Sequence, residues 1–289
     1  MNAHEYILAK QINWALNRGI RLVGSKGERG RPAYTSRLED NLFEPLEQLV
    51  RECFEKGDGN ELAGSPDSPA KMQAVHSSSA LGVNIFQYWQ KISRIPEIAA
   101  ACGLCRKGNR VSSKIVFEEK YPIDESRFQF APNIDMVIHN TDSAPIRCFG
   151  IECKFTEAYA SQGHSGLKPE YFTVKEIWQD IPGLFGLAES ICPDDREFRN
   201  LHAAQLIKHI LGLKNRCGKD GFRLLYLWYD APGEEGANHR KEIERFSKVA
   251  KSDGVKFHSL SYQELIMKLS NEYRSDHGEY IVYISERYL

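Results

Sequence analysis

The chain has no apolar run approaching a membrane span, no internal repeat and no low-complexity tract. A spanning helix needs about 20 consecutive apolar residues, so no membrane partner is expected. A disulfide framework is also missing: the seven cysteines, at 53, 102, 105, 148, 153, 192 and 217, are odd in number and scattered, which suits reduced thiols. Cys102 and Cys105 make one CxxC, but no second CxxC or close histidine pair supplies the further ligands of a structural zinc. A metal-free loop is expected there. Nor is there an excess of positive charge. With 38 Lys and Arg against 39 Asp and Glu, the net charge is −1, which argues against a uniformly basic nucleic-acid binder. The N-terminus, MNAHEYILAKQINWALNRGIRL, has no signal-peptide core and reads as an amphipathic helix. A cytoplasmic protein is expected.

What is present is enough apolar residue for a large core: 42% of 289 residues. The chain reads as an N-terminal helical region with a basic arm, 1–110, and an α/β core, 111–289, with an insertion at 156–199 and a C-terminal α/β extension. The two regions are expected to make one compact domain. In the arm, Arg18, Arg21, Lys26, Arg29, Arg31 and Arg37 face a single acid, Glu28. Such an arm could track phosphates or be an ordinary solvated loop. Leu38, Leu42, Leu46, Leu49 and Phe54 recur at helical spacing. Ser77 to Ser79 can cap a following helix that buries Leu81, Ile85 and Trp89.

From 115 onward the pattern predicts strands 115–121, 133–139 and 147–155, helix 200–214 and strand 222–230. Helix 239–252, strand 255–259, helix 261–272 and strand 280–284 are expected to extend the sheet. Asp135 lies on the second strand, and Glu152 and Lys154 on the third. Residues two apart on a strand share a face, so Glu152 and Lys154 share one environment, opposite Ile151, Cys153 and Phe155. Asp135 is expected to join them, opposite Ile134, Met136 and Ile138. Two carboxylates and an ammonium then converge, a donor set suited to a hard divalent cation with open positions. An exposed charged strand face would explain the same residues without a metal. A second Glu-X-Lys, at Glu118, Glu119 and Lys120, has no aspartate-bearing strand just upstream. It is read as the first strand of the same sheet.

Asn133-Ile134-Asp135 followed by Glu152-Cys153-Lys154 resembles the PD-(D/E)XK nuclease superfamily, with Asn133 where that motif often has proline. GIECKFTE, GDGNEL at 57–62 and PAKMQAVHSSSALGVNIFQYW at 69–89 resemble a group of bacterial restriction endonucleases, over roughly residues 40–230. The resemblance implies a restriction-endonuclease-like core, a central mixed β-sheet flanked by helices, and a Mg²⁺-dependent DNA endonuclease with Mn²⁺ able to substitute. Asp135, Glu152 and the Cys153 carbonyl would hold the metal, and Lys154 would orient the attacking water. A further acid is expected from Glu61 or Glu119, and Gln205 on the following helix is a candidate active-site support.

Lys26, Arg29, Arg31, Lys168 and Lys175 are the candidate DNA contacts. The insertion holds Tyr159, His164, Tyr171 and Trp178 as well, and it could touch DNA or pack as a hydrophobic cover. Restriction or phage defence, with a possible homodimer cutting two strands, is the expected setting. A structure-specific repair nuclease and a non-catalytic nucleic-acid-binding module on the same fold remain the alternatives.

Overall fold

The computed structural model describes residues 1–24, 32–65, 68–160 and 163–289. In chain order the elements are α1 (Ala3–Asn17), β1 (Leu22–Val23), β2 (Tyr34–Thr35), α2 (Gln48–Lys56), α3 (Ser78–Lys91), α4 (Ile95–Ala101), β3 (Ser112–Lys120), β4 (Asn133–Asn140) and β5 (Cys148–Lys154). There follow α5 (Glu170–Thr173), α6 (Pro182–Ser190), α7 (Ala203–Cys217), β6 (Phe222–Trp228), α8 (Glu234–Ser252), β7 (Phe257–Ser261), α9 (Tyr262–Tyr273) and α10 (Gly278–Tyr288). Strands β3 to β7 form one mixed sheet in sequence order, with β3, β4 and β5 antiparallel and β5, β6 and β7 parallel. Parallel neighbours need a crossover, and α7 and α8 supply the two. The fold is therefore an α/β sheet flanked by helices, consistent with a restriction-endonuclease-like core.

Each face of the sheet carries its own core. Met136, Ile138, Phe149 and Ile151 pack with Phe86 and Trp89 of α3 and with Tyr280 and Ile284 of α10. On the other face Val137, Cys148 and Leu224 pack with Leu206, Ile210 and Leu213 of α7. Gly150 lets α7 lie close, because a Cβ there would meet Leu213 Cδ1 at 3.0 Å. The central strand β5 is buried on both faces, all but Lys154 at its end.

Alternation breaks at one place. Ile134 should follow Met136 and Ile138 by the strand period, yet it packs on the α7 face beside Val137. Across from Asp135, between the pairs Phe117↔Met136 and Glu119↔Ile134, Glu118 has φ +53°. A non-glycine residue there costs on the order of 1–3 kcal/mol and persists only where its surroundings enforce it. The ribbon bends at this point and its end closes on α7, where a Cβ on Gly212 would meet the Tyr121 carbonyl oxygen at 2.4 Å.

Two segments differ from their sequence expectation. The stripe from Leu38 to Phe54 is not one helix: a 3₁₀ turn at Leu38–Asn41 is followed by extended chain, and α2 begins only at Gln48. Pro45 lies in the gap, and the Phe43 and Glu47 amides donate instead to Asn84 Oδ1 (2.6 Å) and Gln87 Oε1 (3.0 Å) of α3. Leu49 is consequently exposed. Residues 280–284, read as a strand, belong to α10, which buries Tyr280, Ile281, Tyr283, Ile284, Arg287 and Tyr288. The buried Arg287 guanidinium donates to the Asn41 and Val75 carbonyls and to Tyr283 Oη, so α10 is tied to the loops before α3. The predicted cap is present, with Ser77 Oγ accepting from the Ala80 amide at 3.1 Å.

Candidate active site

The ladder between β4 and β5 runs from His139↔Cys148 to Met136↔Ile151 and stops. Just beyond it, the Cys153 amide donates to Asp135 Oδ2 at 2.7 Å. The Asp135 side chain thus takes a bond that a strand carbonyl would otherwise accept, and its carboxylate is fixed in the gap where β4 leaves β5. Glu152 lies on the α7 side of β5 with no solvent exposure. Lys154 Nζ is 2.6 Å from Glu152 Oε1, and His209 Nε2, from the middle of α7, is 2.8 Å from Oε2. By distance these are tight contacts, but neither carboxylate oxygen has a well-directed hydrogen bond among the described residues.

Burial and charge set the protonation of this group. Burial tends to raise Glu152, but Lys154 and His209 outweigh it and bring the carboxyl down to about 2. Burial likewise works against the Lys154 ammonium, and Glu152 and Asp135 overrule it, so its pKa rises and it stays a cation. Asp135 goes the other way. Burial, then the charges of Glu152 and Glu118, push it well above the usual carboxylate range.

Glu118 is the acid that the bend brings in. Burial, then repulsion from Glu61 and Glu152, raises it to about 7, and with Asp135, Ser78 and Ser79 it lines a small recess under the start of α3. Glu61 stands at the rim, in an adjoining cleft of about 330 Å³ lined also by Lys71, Ser78 and Glu157. Glu61 is raised by burial, opposed by a hydrogen bond with Ser79. Glu119, the other expected acid, is turned away: it meets His139 Nε2 at 2.6 Å and Arg216 Nη1 at 3.4 Å, near the far end of α7. Its candidacy rests on resemblance alone; in the strand register Glu119 pairs with Ile134, and Glu118 is the residue across from Asp135.

Gln205 is half-buried, one turn before His209, and its side chain makes no hydrogen bond among the described residues. The α7 side chain in contact with Glu152 is His209. Its signal in the sequence was a histidine inside the apolar stripe Leu206, Ile210 and Leu213. Lys168 and Lys175 are exposed. Lys175 starts a 3₁₀ turn whose Ile177 carbonyl accepts from Lys214 of α7, past His209. Lys26, Arg29 and Arg31 lie outside the described residues. Tyr171 and Trp178 of the insertion are buried with Ile181 and Leu184 as a cover over α7. All seven cysteines are free.

The donor chemistry fits a divalent cation. Asp135 and Glu118 are raised by burial first and then by repulsion from the charge of Glu152 among their neighbours, and the Glu152 oxygens are left without directed partners among the described residues. Positive charge relieves that repulsion. Among the described residues no group of three or more His, Cys, Asp or Glu side chains is placed to hold a metal ion, so a cation here would depend on fewer side chains, with water or substrate oxygens in the rest of its shell.

A family model described as restriction endonuclease associating with ARP matches residues 7–289. The chain belongs to this family. Comparison with curated proteins and with solved structures finds no match. For a restriction-endonuclease family the substrate to consider is DNA, and the Asp135, Glu152 and Lys154 group is the candidate place for its cleavage. No helix among the described residues is long and apolar enough to cross a membrane.

Proposed function

We propose that this member of the restriction-endonuclease family is a metal-dependent DNA endonuclease of the PD-(D/E)XK kind, acting in the cytoplasm in restriction or phage defence. The observation that carries the reading is Asp135 fixed at the gap where β4 leaves β5, with the charges of the paired Glu152 and Lys154 acting on its carboxyl. Asp135, Glu152 and the Cys153 carbonyl would hold Mg²⁺, or Mn²⁺ in its place, which would supply positive charge to the phosphate oxygens.

The side chains have distinct tasks. Lys154 is held as a cation by its two acidic neighbours, so it cannot serve as a base in that state. It can donate hydrogen bonds that orient the attacking water and stabilise charge growing on the phosphate. His209 fixes the carboxylate of Glu152 from behind. Asp135 is oriented by the Cys153 amide, and Glu118 adds a second acidic side chain opposite it. Burial of the group under α3 and α7 lowers the local dielectric and strengthens each of these interactions.

A homodimer would let two such sites cut both strands. The test is plasmid cleavage by the wild-type chain, Asp135→Asn and Lys154→Met with Mg²⁺, Mn²⁺ or a chelator. Nicked or linear product from the wild type alone, lost on chelation, is expected. No cleavage of any DNA by the wild type under either metal overturns the reading.

A further inference from the structure

The acids of the site stand on one flank, and the opposite flank is basic. On α7, residues 202, 205, 208 and 209 fall on neighbouring positions of one face, and the contact of His209 with Glu152 directs that face toward the site. His202 stacks on His164, with ring centroids 4.6 Å apart and planes at 11°. His164 Nε2 is buried without a hydrogen bond among the described residues.

Of the nearby carboxylates, Glu242 is taken up by backbone amides, while Asp195 gives them only one oxygen: its Oδ2 is buried without a hydrogen bond among the described residues, and its charge acts on His164. Asp195 Oδ1 accepts from the Glu197 and Phe198 amides at 2.9 Å, and Glu242 accepts from Arg199, Asn200 and Leu201 at 2.9, 2.8 and 2.8 Å. No described carboxylate lies within ion-pair distance of His164, His202, Lys168 or Lys208. These groups repel one another's charge. Burial, then His164, Lys154 and Lys208, brings His202 down to about 4, and burial, then Lys168, lowers Lys208.

Resting on the proposed endonuclease reading, we infer that His164, His202 and Lys208, with Lys168 at the rim, form a subsite for a backbone phosphodiester of the DNA adjoining the one that is cut. Three features point to this ligand. His164 Nε2 is buried without a hydrogen bond among the described residues and its ring stacks on His202, Lys208 and Lys168 supply positive charge beside them, and the subsite borders the Lys154 end of the site. Charged donors on a phosphate oxygen make short, strong hydrogen bonds, and contacts of this kind fix the register of a duplex without reading its sequence.

The test is fluorescence anisotropy of a short labelled duplex with the full chain in Ca²⁺, which supports binding without requiring turnover. Lys208→Met and His202→Gln are compared with the wild type after thermal melting shows each to be folded. About a tenfold loss of affinity is expected for each variant, the size of one charge-assisted hydrogen bond. Lys208→Met should also lower the slope of log affinity against log salt by about one. A single neutral methylphosphonate at the contacted position should weaken the wild type and leave Lys208→Met unchanged.

Wild-type affinity and salt slope in both variants would overturn the subsite while the endonuclease reading stands. Weaker binding by Lys208→Met that keeps full sensitivity to every methylphosphonate would overturn it too, because the lysine would then act without touching the phosphate. A wild-type chain that binds no duplex takes down the reading and the subsite together.

Discussion

His209 Nε2 lies 2.8 Å from Glu152 Oε2, and both side chains are closed off from solvent. One helix residue thus secures the carboxylate on which the candidate site depends. Removing one partner of a buried charged contact costs about 3–5 kcal/mol, so His209→Ala should lower the unfolding free energy from urea titration by that order, with His209→Gln milder. Glu152 sits at about 2 when folded, below its ordinary range. Its contribution is therefore present above that range and lost as pH falls toward 2. Without His209 the acid limb of the stability curve should move to higher pH; an unchanged midpoint and limb would show the contact to be idle.

Glu118 has the opposite sign. Its folded carboxyl is raised to about 7, so the stability it contributes is present below the ordinary carboxylate range and lost as pH rises through 7. Glu118→Gln should therefore melt at a higher temperature than the wild type at pH 8 in metal-free buffer, being more stable by about 1–3 kcal/mol after discounting for partial exposure. The difference should shrink at pH 4 and on adding Mg²⁺ at pH 8. Parallel melting of the two proteins at pH 4 and pH 8 would contradict the crowding of acids.

Cys217 is the thiol that should react first. Its Sγ is 3.5 Å from Cys148 Sγ, and a hydrogen bond from Cys148, followed in effect by the Arg216 and Arg147 charges, outweighs burial and brings it down to about 7. Burial raises the Cys102 and Cys153 thiols instead. Timed alkylation at pH 7.5 with peptide mass mapping should label Cys217 well before those two, since the thiolate is the nucleophile. Equal labelling of all three would refute the assignment.

The sheet was legible because its strands are short apolar runs bounded by turn residues, buried on both faces in β5 and β6, and the cap at Ser77 because its chemistry is local. The bend at Glu118 was not, since nothing in IVFEEKYPI signals a positive φ, and the choice of Glu119 rests on resemblance, which does not fix the register that sets Glu118 across from Asp135. EYIVYI satisfies a strand period as readily as a helical one, and its choice is made by tertiary contacts such as the tie of Arg287 to the loops before α3. Pro45 was visible in the Leu38–Phe54 stripe, but the capture of neighbouring amides by Asn84 and Gln87 of α3 was not. His209 was hidden as a polar residue in an apolar helix stripe, where only the position of Glu152 across the helix–sheet interface gives it a role.

The most direct measurement is sequencing of the DNA ends left after a complex genomic DNA is incubated with the chain and Mg²⁺ or Mn²⁺. New ends that recur at defined sequences, require the metal and vanish with Asp135→Asn and Lys154→Met are the expected result. Ends no more frequent than in the metal-free control, with the folded wild-type chain under both metals, would contradict the assignment of Asp135, Glu152 and Lys154 as a nuclease centre.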